Sequence, residues 1–265
     1  MAAPRLFKAE GIVLKADSLG EADLLVTLIS QNGSKLRAMA WGARKMTSRK
    51  MGHLDYLTRV DLDLYRGPSI SSIRQVLTLE SFAALKGQLD ATAKAFYLAE
   101  LVDGFAVEGS SNPPLYNLFL DTLRAVQEAP DDNEPILRFQ LELLRVNGFM
   151  PELYRCVECR RAVEAGRHRF VVSLGGVICS DCASRREGAS PLSLPALKTL
   201  RHFHRNGEND SSRLRIYPSL YEEVRAVLDR AIRYWLDKDV RSRRFVVQVQ
   251  RQKERTAANA VPKDV

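Results

Sequence analysis

The sequence predicts an α+β, multi-domain protein: a small N-terminal β-barrel, a central and C-terminal helical bundle, and a four-cysteine module inserted between the helices. Three observations carry this. Apolar and polar residues alternate over the first 80 positions. They recur at helical spacing from 82 to 148 and again from 192 to 238, and between those stretches lie two Cys-x2-Cys pairs. The 265 residues are 45% hydrophobic and 27% charged, which excludes collagen-like, wholly disordered and disulfide-scaffold classes.

Residues 1–81 read as the barrel. Short β-type runs cover Val13, Leu24 to Ile29, Leu36 to Trp41, Leu57 to Tyr65 and Ile70 to Leu79. They are punctuated by Gly20, Asn32-Gly33, Gly42, Gly52 and Gly67-Pro68. Alternation is clearest in Leu36-Arg37-Ala38-Met39-Ala40-Trp41 and in Val60-Asp61-Leu62-Asp63-Leu64-Tyr65. Asn32-Gly33 is a tight turn, because both residues tolerate positive φ. About five strands in ~80 residues are too few for a sandwich and suit a small closed barrel of the SH3 or OB kind.

Residues 82–150 are expected to form a helical domain. Its apolar sets are Phe96 to Phe105, Leu115 to Val126 and Ile136 to Val146. Asn112 before Pro113-Pro114 marks one helix start. Asp132 with Pro135 marks another, which Asn147-Gly148 closes. Residues 151–189 form the cysteine module, and 190–240 return as helices packing with the helical domain. From 241 to 265 periodicity is lost, so this stretch reads as a basic tail, disordered from about Lys253.

The longest apolar runs, such as Leu24 to Leu28, are far short of the ~18–20 residues a membrane helix needs. No apolar signal segment opens the chain, so a soluble, cytoplasmic protein is expected. Forty Lys and Arg against 32 Asp and Glu give a net charge of +8. Residues 1–80 hold 12 basic against 8 acidic (+4), 81–150 hold 5 against 10 (−5), and 151–265 hold 23 against 14 (+9). Two basic ends around an acidic middle point to separate modules and a polyanionic partner.

Cys156-Val157-Glu158-Cys159 and Cys179-Ser180-Asp181-Cys182 are separated by 19 residues, within the spacing of tetrahedral zinc sites. Each pair forms a knuckle offering two thiolates. Phe170 to Ser173 and Gly175 to Ile178 read as the hairpin that brings the second knuckle back. Disulfides are disfavoured in a reducing cytosol, and a thioredoxin-like site needs one pair in a βαβ setting. One structural Zn2+ held by Cys156, Cys159, Cys179 and Cys182 is therefore expected. Four sulfurs close the site to a catalytic water.

Lys35, Arg37, Arg44, Lys45, Arg49 and Lys50 fall within 16 positions, and Arg66 and Arg74 extend the set. Cations for phosphates with aromatic faces for bases are what single-stranded nucleic acid requires, so these eight are candidate DNA contacts. Trp41 and Tyr65 are candidates for stacking. The Leu36-Ala38-Ala40 register puts Trp41 on the polar face, whereas the usual burial of tryptophan puts it in the core, and the core is the favoured expectation. No phosphate-binding loop, dinucleotide fingerprint, nucleophile elbow or His-Glu-x-x-His occurs. His202 and His204, two apart on a helix, make a poor metal pair and are expected at the surface or facing DNA. The chain is not expected to be an enzyme.

Gly11-Ile12-Val13-Leu14, Gly20 to Leu28, Gly33 to Ala38, Gly42-Ala43-Arg44-Lys45 with Ser48-Arg49, Leu64-Tyr65-Arg66-Gly67, Arg138 to Leu144, Gly148-Phe149-Met150-Pro151 and Cys156 to Cys159 follow one another in the order and spacing of a known family. By these residues the chain resembles the bacterial recombination mediator family RecO over nearly its whole length, except beyond Phe245. The resemblance implies an OB-fold first domain, binding to single- and double-stranded DNA, and annealing of complementary strands. It further implies partnership with RecR and the single-stranded-DNA-binding protein, help in loading RecA, and a place at the nucleoid. The acidic tail of the single-stranded-DNA-binding protein is expected between the helical bundle and the C-terminal helices, at cations such as Arg201 and Arg205. An RNA-binding protein built from a zinc ribbon and an OB fold is the alternative, distinguished by recognition of the 2′-OH. A protein-interaction scaffold with incidental charge would lose nucleic acid near physiological salt.

Overall fold

A computed structural model describes residues 5–164, 166, 168–184, 188–206 and 216–259. Contacts divide the chain into two compact units, Met1–Asp131 with Arg241–Val265, and Asp132–Val240.

In the first unit, β1 (Leu6–Leu19), β2 (Asp23–Ser30), β3 (Lys35–Ala40), β4 (Arg59–Tyr65) and β5 (Ser71–Glu80) close a barrel in the order β1-β2-β3-β5-β4. β4 pairs back on β1, and β3 pairs with β5 in parallel at Ala38 with Ser71 and Met39 with Ser72. These non-sequential pairings make a Greek-key barrel of the OB type. Val13, Val26, Leu28, Ala38, Ala40, Val60, Leu62, Leu64, Ile73 and Val76 fill its interior, so the alternation in β3 and β4 is the inward row. Gly11, Ile12, Val13 and Leu14 are buried in succession. Such a run arises where both strand faces are covered: Val13 belongs to the barrel interior, and α2 (Leu89–Phe105) packs against β1 from outside.

Polar contacts fix that docking. Lys15 of β1 and Lys35 of β3 both pair with Asp103 of α2, Lys35 at 3.0 Å. On α3 (Pro113–Glu128), the Tyr116 hydroxyl donates to Glu10 at 2.6 Å, and Glu10 also accepts from Arg59 at 2.8 Å. Arg124 donates to both oxygens of Glu80, at 3.2 and 2.8 Å. The Asn32-Gly33 turn is pressed against the start of α3. The Asn112 amide donates to the Asn32 carbonyl at 2.8 Å, and a Cβ on Gly33, whose φ is +76°, would lie 1.8 Å from the Asn112 oxygen. Asn112 occupies the expected cap position of α3, although its side chain makes no capping hydrogen bond.

The helices after the barrel divide differently from the 82–150 domain expected from sequence. α1 (Ala83–Lys86), α2 and α3 belong with the barrel, whereas α4 (Glu134–Val146) belongs with the second unit. There it packs on α6 (Leu194–Asn206) and α7 (Pro218–Leu236), and Gln140 donates to Asp229 at 2.8 Å. Asp132 accepts the Glu134 amide at 2.9 Å and Gly148 (φ +80°) follows the far end, as their sequence positions indicate. The tail is also corrected. Ser242–Asn259 is a helix, α8, lying along α2 in the first unit. Its start is capped from afar: the Glu100 carboxylate accepts the amides of Arg241 and Ser242 at 2.8 and 2.7 Å. Local periodicity cannot reveal a cap 142 residues away. Residues 260–265 of the expected tail lie outside the described residues.

Gly33→Ala combines left-handed strain with a backbone clash and is expected to cost roughly 2–4 kcal/mol of stability; a loss under about 0.5 kcal/mol in chemical denaturation would contradict the docked turn. Burial alone would raise the Asp103 pKa, but hydrogen bonds from Lys15 and Lys35 outweigh it and hold the carboxyl below its ordinary value of 3.8. Its stabilising contribution is therefore complete above that ordinary value and lost as pH falls through the lower folded one. Asp103→Asn is expected to flatten the acid limb of a stability–pH curve below about pH 4; an unchanged limb would refute the assignment.

Candidate metal centre and nucleic-acid interface

In the second unit, the first knuckle is a tight loop in which Cys156 donates to the Arg161 carbonyl and Arg160 to the Cys156 carbonyl, both at 2.9 Å. Arg160 holds φ +60° to make it. The hairpin expected between the knuckles is formed by β6 (His168–Val171) and β7 (Gly176–Ile178), with β8 (Ser190–Leu192) on the other edge of β6. Gly176 has no room for a side chain: a Cβ would meet the Glu152 oxygen at 2.6 Å. Cys179 then opens the single-turn helix α5 (Ser180–Ala183).

All four cysteine sulfurs lie within 4.8 Å of one another, and Cys159 and Cys179 are 3.8 Å apart. A tetrahedron with metal–sulfur bonds of about 2.3 Å has edges of about 3.8 Å. Backbone and side-chain hydrogen bonds from Arg161 pull the Cys159 thiol down to about 6, whereas burial and the neighbouring sulfurs push Cys182 up. Four sulfurs gathered this closely are the donor set of a cation, and the residues present fit one metal ion.

The expected nucleic-acid residues lie on the barrel in two groups. Lys35 is held by Asp103 and fastens α2, so the structure turns it away from a phosphate role. Lys50 is half-withdrawn, its ammonium donating to the Ile73 carbonyl at 2.9 Å; burial and the charge of Arg74 lower its pKa. Arg37 is half-exposed, 3.9 Å from Glu108. Arg44, Lys45, Arg49, Arg66 and Arg74 are exposed. Arg44 reaches the β1–β2 loop, donating to Gly20 at 3.3 Å, and Arg66 begins the β4–β5 loop with its guanidinium 5.3 Å from the Phe7 ring. These two loops and the β2–β3 face are where OB folds take oligonucleotides.

The expectation of a buried Trp41 is corrected: its side chain is 56% exposed. Trp41 lies just past β3, in the turn that follows Ala40, and there its side chain is open to solvent. Tyr65 is half-buried and its hydroxyl accepts from Arg5 at 3.3 Å. Sequence reasoning missed why Arg74 stands free. Asp63 pairs with Gln75 and Leu64 with Ile73, which leaves Arg74 as the extra residue of a β-bulge. Arg201 is also corrected. Its guanidinium donates to the Leu153 carbonyl at 2.9 and 2.7 Å and to Val163 at 2.9 Å, bracing the chain that enters the first knuckle.

Residues 1–82 match the family model for the recombination protein O N terminal domain, and residues 86–244 match that for the recombination protein O C terminal domain. The chain belongs to the RecO family. The DNA repair protein RecO of Roseiflexus sp. (strain RS-1) is 34% identical over 256 residues, covering 97% of this chain and 90% of the relative. That of Desulforudis audaxviator is 35% identical over 240 residues, 91% of this chain and 96% of the relative. That of Heliobacterium modesticaldum is 36% identical over 242 residues, 90% and 88%. The RecO N-terminal match ends just past the barrel, and the C-terminal match takes in the four cysteines. Among the described residues no helix is long and apolar enough to cross a membrane.

Chelation of the metal is expected to strip hydrogen-exchange protection from β6, β7, β8 and both knuckles while β1–β5 keep theirs; protected knuckles in metal-free protein would overturn the assignment. Because a non-glycine residue in the left-handed region costs about 1–2 kcal/mol, Arg160→Gly is expected to leave the melting of the module unchanged or raise it, and a clear fall would show that Arg160 holds the knuckle by its side chain.

Proposed function

We propose that this chain is a DNA repair and recombination mediator that works without catalytic turnover. It binds single- and double-stranded DNA, anneals complementary strands, and with RecR promotes loading of RecA onto single strands coated by the single-stranded-DNA-binding protein. Its workplace is the nucleoid. The four cysteines hold one Zn2+, whose contribution is to cross-link the two knuckles.

Membership of the RecO family supports a role in DNA repair and recombination. The observation that carries the DNA-binding reading is an exposed aromatic and cationic set on the OB-like barrel: Trp41, Arg44, Lys45, Arg49, Arg66 and Arg74 are all open to solvent. Cations neutralise phosphates while an exposed indole holds a base by its face, and the hydrogen-bonding edges of the remaining bases stay free to pair. That is what annealing needs: two strands brought together with their charge screened and their edges open.

The test is annealing of complementary DNA strands precoated with the single-stranded-DNA-binding protein, with RNA strands in parallel. Acceleration of DNA annealing is expected; binding confined to RNA would favour the zinc-ribbon RNA protein instead. Replacing Arg44, Lys45 and Arg49 together by alanine is expected to lower the salt slope of single-strand binding by about 2, since each lost contact removes about 0.7. Trp41→Ala is expected to weaken binding by about 1–3 kcal/mol for the base it stacks. Unchanged affinity and slope in both variants would remove this face from the site.

A further inference from the structure

α6 carries a second cationic surface, on the unit without the barrel. Its buried positions are Ala196, Leu197, Thr199, Leu200 and Phe203, while on the other side Lys198 and Arg205 are exposed and Arg201 and His202 half-buried. Those four stand at i, i+3, i+4 and i+7, a single stripe spanning about 10 Å. The helix contains no acidic residue. The stripe is bordered by an aromatic platform. The Tyr154 hydroxyl lies 3.2 Å from His204 Nδ1, with ring centroids 5.6 Å apart, and the Arg201 guanidinium sits 5.0 Å from the Tyr154 centroid. Arg201 is braced by the Leu153 and Val163 carbonyls, so this platform is pre-set, and Tyr154 remains 37% exposed.

The geometry points to a second single-stranded nucleic-acid contact, in which Lys198 and Arg205 hold phosphates and Tyr154 with His204 offers a stacking face for a base. Cations two helical turns apart beside exposed Tyr154 and half-buried His204 meet both requirements of a single strand. An acidic peptide with an apolar anchor would need an apolar pocket beside the cations, whereas the α6 positions from Lys198 to Arg205 that are not buried are all polar. The inference rests on the DNA-binding reading above and gives annealing a physical basis, since each unit then holds its own strand.

The experiment uses the full chain, a fluorescent oligo(dT) and an acidic peptide ending in a hydrophobic residue. Lys198→Gln with Arg205→Gln is expected to lower the single-strand salt slope by about 1.4 and to slow annealing, with metal content and circular dichroism unchanged. An oligonucleotide carrying 5-bromodeoxyuridine is expected to photo-crosslink to the peptide bearing Tyr154, and Tyr154→Leu to abolish that adduct. The barrel variant Arg44→Ala with Lys45→Ala and Arg49→Ala runs alongside. If it weakens binding while the α6 variant does not and crosslinks stay on barrel peptides, the α6 contact is refuted and the DNA reading stands. If wild-type protein fails to bind oligo(dT), both fall. Loss of the acidic peptide with an unchanged DNA slope would reassign the stripe to a protein partner and overturn the proposal.

Discussion

The first unit turns on one carboxylate. Asp103, mostly buried on α2, receives Lys15 from β1 and Lys35 from β3, which are otherwise separated by a whole strand of the barrel. Replacing an ion cluster of this kind by apolar residues is often neutral for stability, because desolvation offsets attraction. Its value lies in geometry: the lysines find their counter-charge only when α2 lies across β1 and β3 in one orientation. The Glu10–Arg59–Tyr116 contact and the Glu80–Arg124 pair repeat the device with α3. The consequence for function is a division of the outer barrel surface. The part near Lys35 is assigned to the helices, and the part near Trp41, Arg44 and Arg74 remains open.

The second unit relies on a different constraint. β6, β7 and β8 have four, three and three residues, too few to hold a sheet in water by hydrogen bonding alone. A metal held by the cysteine cluster would compensate by tying two distant loops to one point. The close approach of Gly176 to Glu152 and the brace from Arg201 to Leu153 and Val163 set the first knuckle against that sheet. Four sulfurs with no open position suit a metal that serves the fold.

Much of the architecture was legible because it is written in short-range pattern. Alternation in Leu36–Trp41 and Val60–Tyr65 marked strands whose inward rows are those seen, Asn32-Gly33 marked the tight turn, and the doubled Cys-x2-Cys marked the metal cluster. Order and spacing of short fragments pointed to the RecO family. What failed locally failed for a shared reason. Lys35 looks like its neighbours Arg37 and Arg44 in sequence, and only Asp103, 68 residues on, separates it from them. α8 lacks a strong apolar stripe, and its cap is Glu100.

Element type, the cysteine donor set and the cationic loop follow from amino-acid order alone, because these depend on residue chemistry within a few positions: side-chain period, turn tolerance, thiol spacing, charge. Which cations are committed and which stay exposed, where the helical segment divides between units, and that Trp41 faces solvent became fixed only on folding. Those outcomes depend on which groups meet across dozens of residues, where a buried charge must find its partner and a turn must find its cover. No local pattern encodes that pairing, and the folded chain supplies it.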